Sequence, residues 1–309
     1  MPFDEARSVP SPTGAALHVY CRRANQPRAV VQVNHGLAEH AARYERFADA
    51  LAAEGLHTYA HDHRGHGRTH APDAPLGVFA AGDGGVDKVI VDVSAVHDLI
   101  AAEHPGLPVI AFGHSMGGLI ALNFVLRHSG RVRGAAIWNA NFSAGLAGRA
   151  AMLILAVERF RLGSDVPSRL LPKLTFASWG RKVPNARTAF DWLSRDPAEV
   201  DKYVADPLCG WNASVSMWRD VFRFAFLGAD DAGFASLPRD LPVNLVGGEH
   251  DPATDGGKAV RDLAARMNRM GFSNLVSTIY PETRHESLNE LNRDEITEAF
   301  VSWARKTVA

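Results

Sequence analysis

The sequence predicts an α/β protein with a mostly parallel central sheet flanked by helices, and with a helical cap inserted after the sixth strand. Three observations carry this. Apolar runs of strand length, at 29–34, 57–62, 109–112 and 134–138, alternate with segments of helical periodicity at 43–54, at 86–102 and from Leu119 onward. Runs that lack an alternating polar face suit strands covered on both sides, as in parallel sheets. The alternation stops after Trp138 and resumes at Pro242. At Val109–Leu122 a strand, a Gly-x-Ser-x-Gly turn and a helix follow one another without a break. The expected division is a core of residues 1–139 and 238–309 with a cap of 140–237.

In order, residues 14–20 and 29–34 read as strands around a polar turn containing Asn25 and Pro27. His35-Gly36-Leu37-Ala38-Glu39-His40 comes next. A glycine-containing turn at the end of a buried strand can aim N–H groups into a cleft, as an oxyanion hole requires, or can simply join strand to helix. Arg43–Glu54 places Tyr44, Phe47, Ala48 and Leu51 on one helical face, and Gly55 ends it. His57–Asp62 is a further strand, leading into a loop rich in histidine; seven histidines fall from His35 to His70. His61, His63 and His66 have a spacing reminiscent of metal ligands. Arginine and glycine interleave them and no HExxH pattern is present, so a loop packed at the rim of a site is the better reading and no metal is expected.

Val86–Ala102 turns Val89, Val93, Val96 and Ile100 inward, and Gly134–Trp138 is another strand. Within the insertion, Leu146–Phe160 is apolar around much of its circumference. That pattern fits a helix buried in its own subdomain and, compatibly with it, a lid lining an acyl-binding cavity or touching a lipid surface. The sheet pattern returns at Pro242–Val246 and Asn274–Tyr280, with helices over Asp255–Met270 and Leu291–Ala304.

Composition narrows the function. At 309 residues and 46% hydrophobic, the chain can bury a large core. A formal net charge of −1 argues against nucleic acid or an anionic membrane surface as a general partner. Two cysteines, Cys21 and Cys209, build no disulfide framework and suggest a reducing compartment. The N-terminal stretch shows no secretory pattern and no apolar run is long enough to span a bilayer, so a cytoplasmic location is expected.

The chemistry centres on Gly113-His114-Ser115-Met116-Gly117. A serine on so tight a turn has its neighbours at two positions either side pressed against strand and helix, and glycine at both removes the clash. The hydroxyl is left exposed at a helix N-terminus, where developing negative charge is favoured. A serine hydroxyl still needs a base oriented by an acid. In the order Ser, then Asp or Glu, then His, each at a strand end, Ser115, Asp251 and His285 fit, with Glu249 and Asp255 as alternative acids and His250 as an alternative base.

HGLAEH, DHRGHGRT, GHSMGG, GGEHDPAT and RHESLNE together resemble the monoacylglycerol lipase/lysophospholipase group of the α/β-hydrolase superfamily, often labelled serine aminopeptidase S33-like. The resemblance covers nearly the whole chain and implies the α/β-hydrolase fold, Ser115 as nucleophile, Asp251 as acid and His285 as base. It further implies an oxyanion hole from the N–H groups of Leu37 and Met116. His35, Gly36, His114 and Cys209 are then expected in the substrate site, Cys209 near its alcohol end. Where such lipases usually carry serine and proline after the strand ending at Trp138, this chain has Asn139-Ala140-Asn141. The expected activity is cofactor-free hydrolysis of a lipid-like carboxylic ester, such as a monoacylglycerol or lysophospholipid, with only transient membrane contact through the cap. The alternatives are an aminopeptidase, which would use Glu39, Asp83 or Glu158 to hold a free amine, a metallohydrolase on the histidines, and a non-catalytic receptor on the same fold.

Overall fold

The computed structural model describes residues 3–143 and 145–309. Its frame is one eight-stranded sheet in the order β1-β2-β4-β3-β5-β6-β7-β8. The strands are β1 Glu5–Pro10, β2 Ala16–Arg22, β3 Ala29–Asn34, β4 Leu56–His61, β5 Val109–His114, β6 Gly134–Trp138, β7 Val243–Gly248 and β8 Leu275–Tyr280. From β4 to β8 across the sheet every pair is parallel, while β2 runs antiparallel to both β1 and β4. This is the α/β-hydrolase arrangement. β1 is the one strand that apolar periodicity does not reveal: EARSVP is mostly polar and lies at an edge, where pairing to β2 rather than burial defines it. Counting it makes β6 the sixth strand, after which the insertion begins.

Both faces of the sheet are covered, which explains the unbroken apolar runs. Alternate residues of one strand go to opposite sides. Ile110 and Phe112 of β5 pack with Trp138, Phe47 of α1 (Glu45–Ala53), and Phe300 and Trp303 of α10 (Arg293–Val308). Ala111 faces the other way, into a core built with α2 (Gly85–Glu103), α3 (Met116–His128) and α9 (Lys258–Arg269).

Between β6 and β7 the described chain adds no strand to the sheet. It forms α4 (Leu146–Leu162), the short α5 (Leu171–Leu174) and α6 (Phe176–Gly180), α7 (Pro197–Ala205) and α8 (Val215–Ala229). The caps are local. Asp196 accepts from the N–H of Ala198 ahead of Pro197, and Ser214 accepts from the N–H of Met217. Helix α4 corrects the expectation of a helix buried in its own subdomain: only Leu155 and Glu158 are buried, while Phe160 is 92% exposed and Leu146 84%. No helix among the described residues is long and apolar enough to cross a membrane.

Candidate active site

The turn after β5 has the strain that its glycines anticipate. Ser115 lies at φ 55°, ψ −120°, a conformation that L residues avoid. A Cβ on Gly113 would meet the carbonyl oxygen of Gly117 at 2.0 Å, and one on Gly117 would meet that of Asn34 at the same distance. The hydroxyl is thereby fixed at the start of α3. The Ser115 N–H donates to the Trp138 carbonyl across the sheet at 2.8 Å, which ties the turn to the end of β6.

Two loops converge on this serine. The Ser115 hydroxyl donates to His285 Nε2 at 2.8 Å, and His285 Nδ1 donates to Asp251 at 2.9 Å to Oδ1 and 3.0 Å to Oδ2. Asp251 is wholly buried. Burial by itself would raise its pKa, but the facing His285 and hydrogen bonds from Asn139 and Thr254 hold the carboxyl below the usual range. Glu249, Asp255 and His250, the alternatives left open by spacing, are exposed, and the structure does not bring them to the serine. His285 is framed from three sides. Trp192 of the insertion lies with its ring centroid 5.0 Å away, the His285 N–H donates to the Trp192 carbonyl, and His114 Nε2 donates to the His285 carbonyl at 2.9 Å.

Sequence reasoning missed the residue that links these loops. Asn139, at φ 50°, donates from Nδ2 to Asp251 Oδ2 at 3.1 Å and accepts at Oδ1 from the Ser287 hydroxyl at 2.9 Å. One side chain therefore spans the acid loop and the base loop. The departure from Ser-Pro at Asn139-Ala140 was the available signal, but its partners lie more than a hundred residues away in the chain.

The cavity above Ser115 has a volume of about 580 Å³. Leu37, Met116, Leu119, Ile154, Phe176 and Trp218 are among its apolar walls, drawn from core and insertion together. Neither the Leu37 nor the Met116 N–H has a hydrogen-bond partner among the described residues, and both residues border the cavity beside Ser115. Gly36 and His114 also line it. His35 and Cys209 do not, which corrects their expected place. His35 sits behind the loop, wholly buried, with Nδ1 bonded to the Gly36 carbonyl and Nε2 accepting from the His63 N–H. Cys209 packs into an aromatic cluster with Trp192 and Tyr203, and burial pushes its thiol pKa up.

A buried charged network supports the Gly36–Leu37 turn. Glu39 accepts from the Gly36 N–H and the Tyr44 hydroxyl, and Arg43 joins Glu39 to Glu286, the latter through two bonds of 2.7 Å. Burial alone would raise the Glu39 pKa, but Arg43 and His114 hold it well below its ordinary value. The same pairing acts on His114, whose burial opposes charging while Glu39 raises its pKa. The other acids considered for an amine are engaged elsewhere. Asp83 is exposed and paired with Arg159 and Arg219, and Glu158 accepts from Ser168 and the N–H groups of Arg169 and Leu170.

His61, His63 and His66 pack ring against ring instead of converging on a point, with His61 and His63 centroids 4.6 Å apart and His63 and His66 6.4 Å. Among the described residues, the ligand atoms that do approach within 4.8 Å of one another are those of His40, Asp206 and Cys209. There His40 Nε2 and Asp206 already share a 2.8 Å hydrogen bond.

Residues 25–292 match the family model described as serine aminopeptidase, S33. The chain is 28% identical to a monoglyceride lipase of Homo sapiens over 88% of its own length and 84% of the relative's. It is 28% identical to a monoacylglycerol lipase of Mycolicibacterium smegmatis over 90% and 88% of the two lengths. A carboxyl esterase from Bacillus coagulans superposes with a TM-score of 0.87 at 22% identity, covering 99% of each chain, a likeness of fold.

Proposed function

We propose, starting from the fact that this chain belongs to the serine aminopeptidase S33 family, that it is a serine carboxylic-ester hydrolase acting on a small lipid-like ester of the monoacylglycerol or lysophospholipid class. The observation that carries this reading is the Ser115–His285–Asp251 chain of hydrogen bonds at the base of a largely apolar cavity. The relatives named as monoglyceride and monoacylglycerol lipases support the substrate class.

In this mechanism His285 Nε2 takes the Ser115 proton as Oγ attacks the ester carbonyl. The N–H groups of Leu37 and Met116 receive the oxyanion, and the second stands at the N-terminus of α3, where negative charge is favoured. Asp251 holds the imidazole with Nδ1–H toward itself and stabilises the imidazolium. His285 then protonates the leaving alcohol. Water, deprotonated by His285, splits the acyl-serine to the free acid and restores the hydroxyl. An amine-directed peptidase is disfavoured because Glu39, the one candidate acid on the cavity wall, is already taken up by Arg43 and Tyr44.

The test is a panel of p-nitrophenyl esters of increasing acyl length beside aminoacyl amides of the same leaving group. Each methylene buried in the cavity is worth about 0.8 kcal/mol, so kcat/KM should rise about fourfold per carbon until the apolar wall is filled, then level off. Amides cleaved faster than esters would sink the reading.

Asn139 is a positioning residue in this scheme. Asn139→Gly keeps the left-handed backbone but removes both loop contacts. Turnover should fall about tenfold with KM little changed, as expected for a misplaced acid–base pair. Without the Asn139 N–H the Asp251 carboxylate is more basic and favours the imidazolium, so the acid limb of kcat/KM should move to higher pH. An unmoved limb would reduce Asn139 to a structural role.

A further inference from the structure

The seam between the insertion and the core brings three metal-ligating side chains together beside the Gly36–Leu37 turn. A nitrogen of His40, a carboxylate oxygen of Asp206 and the sulfur of Cys209 lie within 4.8 Å of one another. None of the three lines the cavity above Ser115 or belongs to the Ser115–His285–Asp251 chain. Spacing could not reveal the group, since His40 stands 166 positions before Asp206.

Two of the three are set on one turn. Asp206 directly follows α7, its carbonyl accepts from the Cys209 N–H at 3.0 Å, and its Oδ1 accepts from the Leu208 N–H at 2.8 Å. Its Oδ2 is left toward His40, whose Nε2 donates to it at 2.8 Å. With the ring proton committed to Asp206, the Nδ1 lone pair of His40 is buried with no partner among the described residues. An imidazole lone pair without a donor is an acceptor that a cation satisfies. His40 and Cys209 are each 8% exposed, while the Asp206 side chain keeps 31% of its surface, which leaves an entry path and room for a water as fourth ligand. Charge also favours a dication. Asp206, Glu39 and Glu286 act on Cys209 against Arg43, three carboxylates to one guanidinium. Imidazole, thiolate and carboxylate together suit zinc, whereas magnesium and calcium ask for oxygen throughout.

We propose that His40, Asp206 and Cys209 form an inhibitory site for Zn²⁺ or a similarly soft divalent cation, at the joint between the insertion and the oxyanion turn. On binding, Cys209 releases its thiol proton to water and ligates as the thiolate. The ligand atoms must then draw in to about 2.0–2.3 Å from the metal, and the turn feels that contraction directly. His40 lies three positions after Leu37. The N–H of Gly210, next to Cys209, donates to the Ala38 carbonyl at 3.0 Å, and the Tyr203 hydroxyl donates to the same carbonyl at 2.9 Å. Moving Ala38 moves the Leu37 N–H assigned to the oxyanion, and a misplacement of about 1 Å at such a point costs on the order of 10²-fold in rate. The inhibition rests on the ester-hydrolase reading, whereas the metal site can be measured without turnover.

The test loads the full chain with Co²⁺ and with Zn²⁺, in the wild type and in Ser115→Ala. Both proteins should bind one metal per chain in equilibrium dialysis, and the cobalt form should show the near-ultraviolet charge-transfer band of a thiolate ligand. Cys209→Ser should lose that band. Cys209→Ser and Asp206→Asn, both close in shape to the residues they replace, should each weaken zinc binding by about tenfold or more, the scale at which even outer-shell partners of a metal are felt. Zinc should lower kcat for a soluble short-chain ester by about tenfold to a hundredfold in the wild type, a chelator should restore it, and Cys209→Ser should stay active with zinc present. Absence of binding, a cobalt spectrum without the thiolate band, or zinc affinity equal in wild type and both variants would overturn the site. Inhibition that persists in Cys209→Ser, or full turnover with the site loaded, would overturn its coupling to the oxyanion turn. Failure to hydrolyse any ester would count against the catalytic reading, and the cobalt spectrum of Ser115→Ala would still decide the site.

Discussion

Ser115→Ala should abolish labelling by a fluorophosphonate probe and lower ester turnover by on the order of 10⁵- to 10⁶-fold, the scale at which removing a triad nucleophile is felt. The effect is expected to be this large because, among the described residues, no other hydroxyl shares the geometry. Ser115 alone combines a strained elbow, a 2.8 Å bond to His285 Nε2 and a place beside the Leu37 and Met116 amides. His285→Ala should cost nearly as much, and the double variant little more, since the residues act as one unit. Asp251→Asn should cost about 10⁴-fold, because an amide facing Nδ1 favours the wrong tautomer. Intact melting temperatures would place the losses in chemistry and not in folding. Persistent labelling of Ser115→Ala would mean that another residue is the nucleophile, and the Ser115–His285–Asp251 assignment would fall.

The elements behind this expectation differ in how far they can be read from the chain. The elbow is legible because its physics is local: glycine at 113 and 117 is demanded by backbone carbonyls only a few residues or one strand away. Asp251 and His285 are legible through order and position at strand ends, although distance to the serine is a property of the folded sheet. Asn139 is not legible in role, since its bonds to Asp251 and Ser287 form only once β6, β7 and the loop after β8 lie side by side. The same holds for Arg43, whose two bonds to Glu286 bridge 243 positions in the chain. Helix α4 misleads for a different reason. Apolar residues on all sides ordinarily mean burial on all sides, yet only its inner face is covered by protein. Nor does periodicity reveal β1, because an edge strand has so little apolar face to show.

The histidines that suggested a metal have a different consequence, and it sets the acid limit of the fold. His35, His61, His63 and His66 are buried, and burial lowers the pKa of each, that of His61 to about 3. In the unfolded chain each titrates near the ordinary histidine value of 6.5. As pH falls below that value the unfolded state takes up protons that the folded state refuses, so stability falls. At about pH 5 His61 costs about 2 kcal/mol, and His35, His63 and His66 act in the same direction. His114 acts with the opposite sign. Its pKa is raised in the fold, so its contribution is fully present below 6.5 and lost on the alkaline side, against the trend of the other four. The depressed Asp251 and Glu39 add their own loss at still lower pH, as they are forced to protonate. The expected result is a melting temperature that falls as pH is lowered from about 6.5 to about 5, followed by circular dichroism. His61 offers the sharpest check, because neither ring nitrogen has a hydrogen-bond partner among the described residues. His61→Phe breaks no bond and removes one proton from the linkage, so the stability lost between about pH 7.5 and about pH 5 should shrink by about 2 kcal/mol. A melting temperature that stays level across that range in the wild type would show that these rings are protonated in the fold. The packed cluster beneath the Gly36–Leu37 turn would then have to be charged, which its mutual ring contacts and depth make the costliest arrangement available to it.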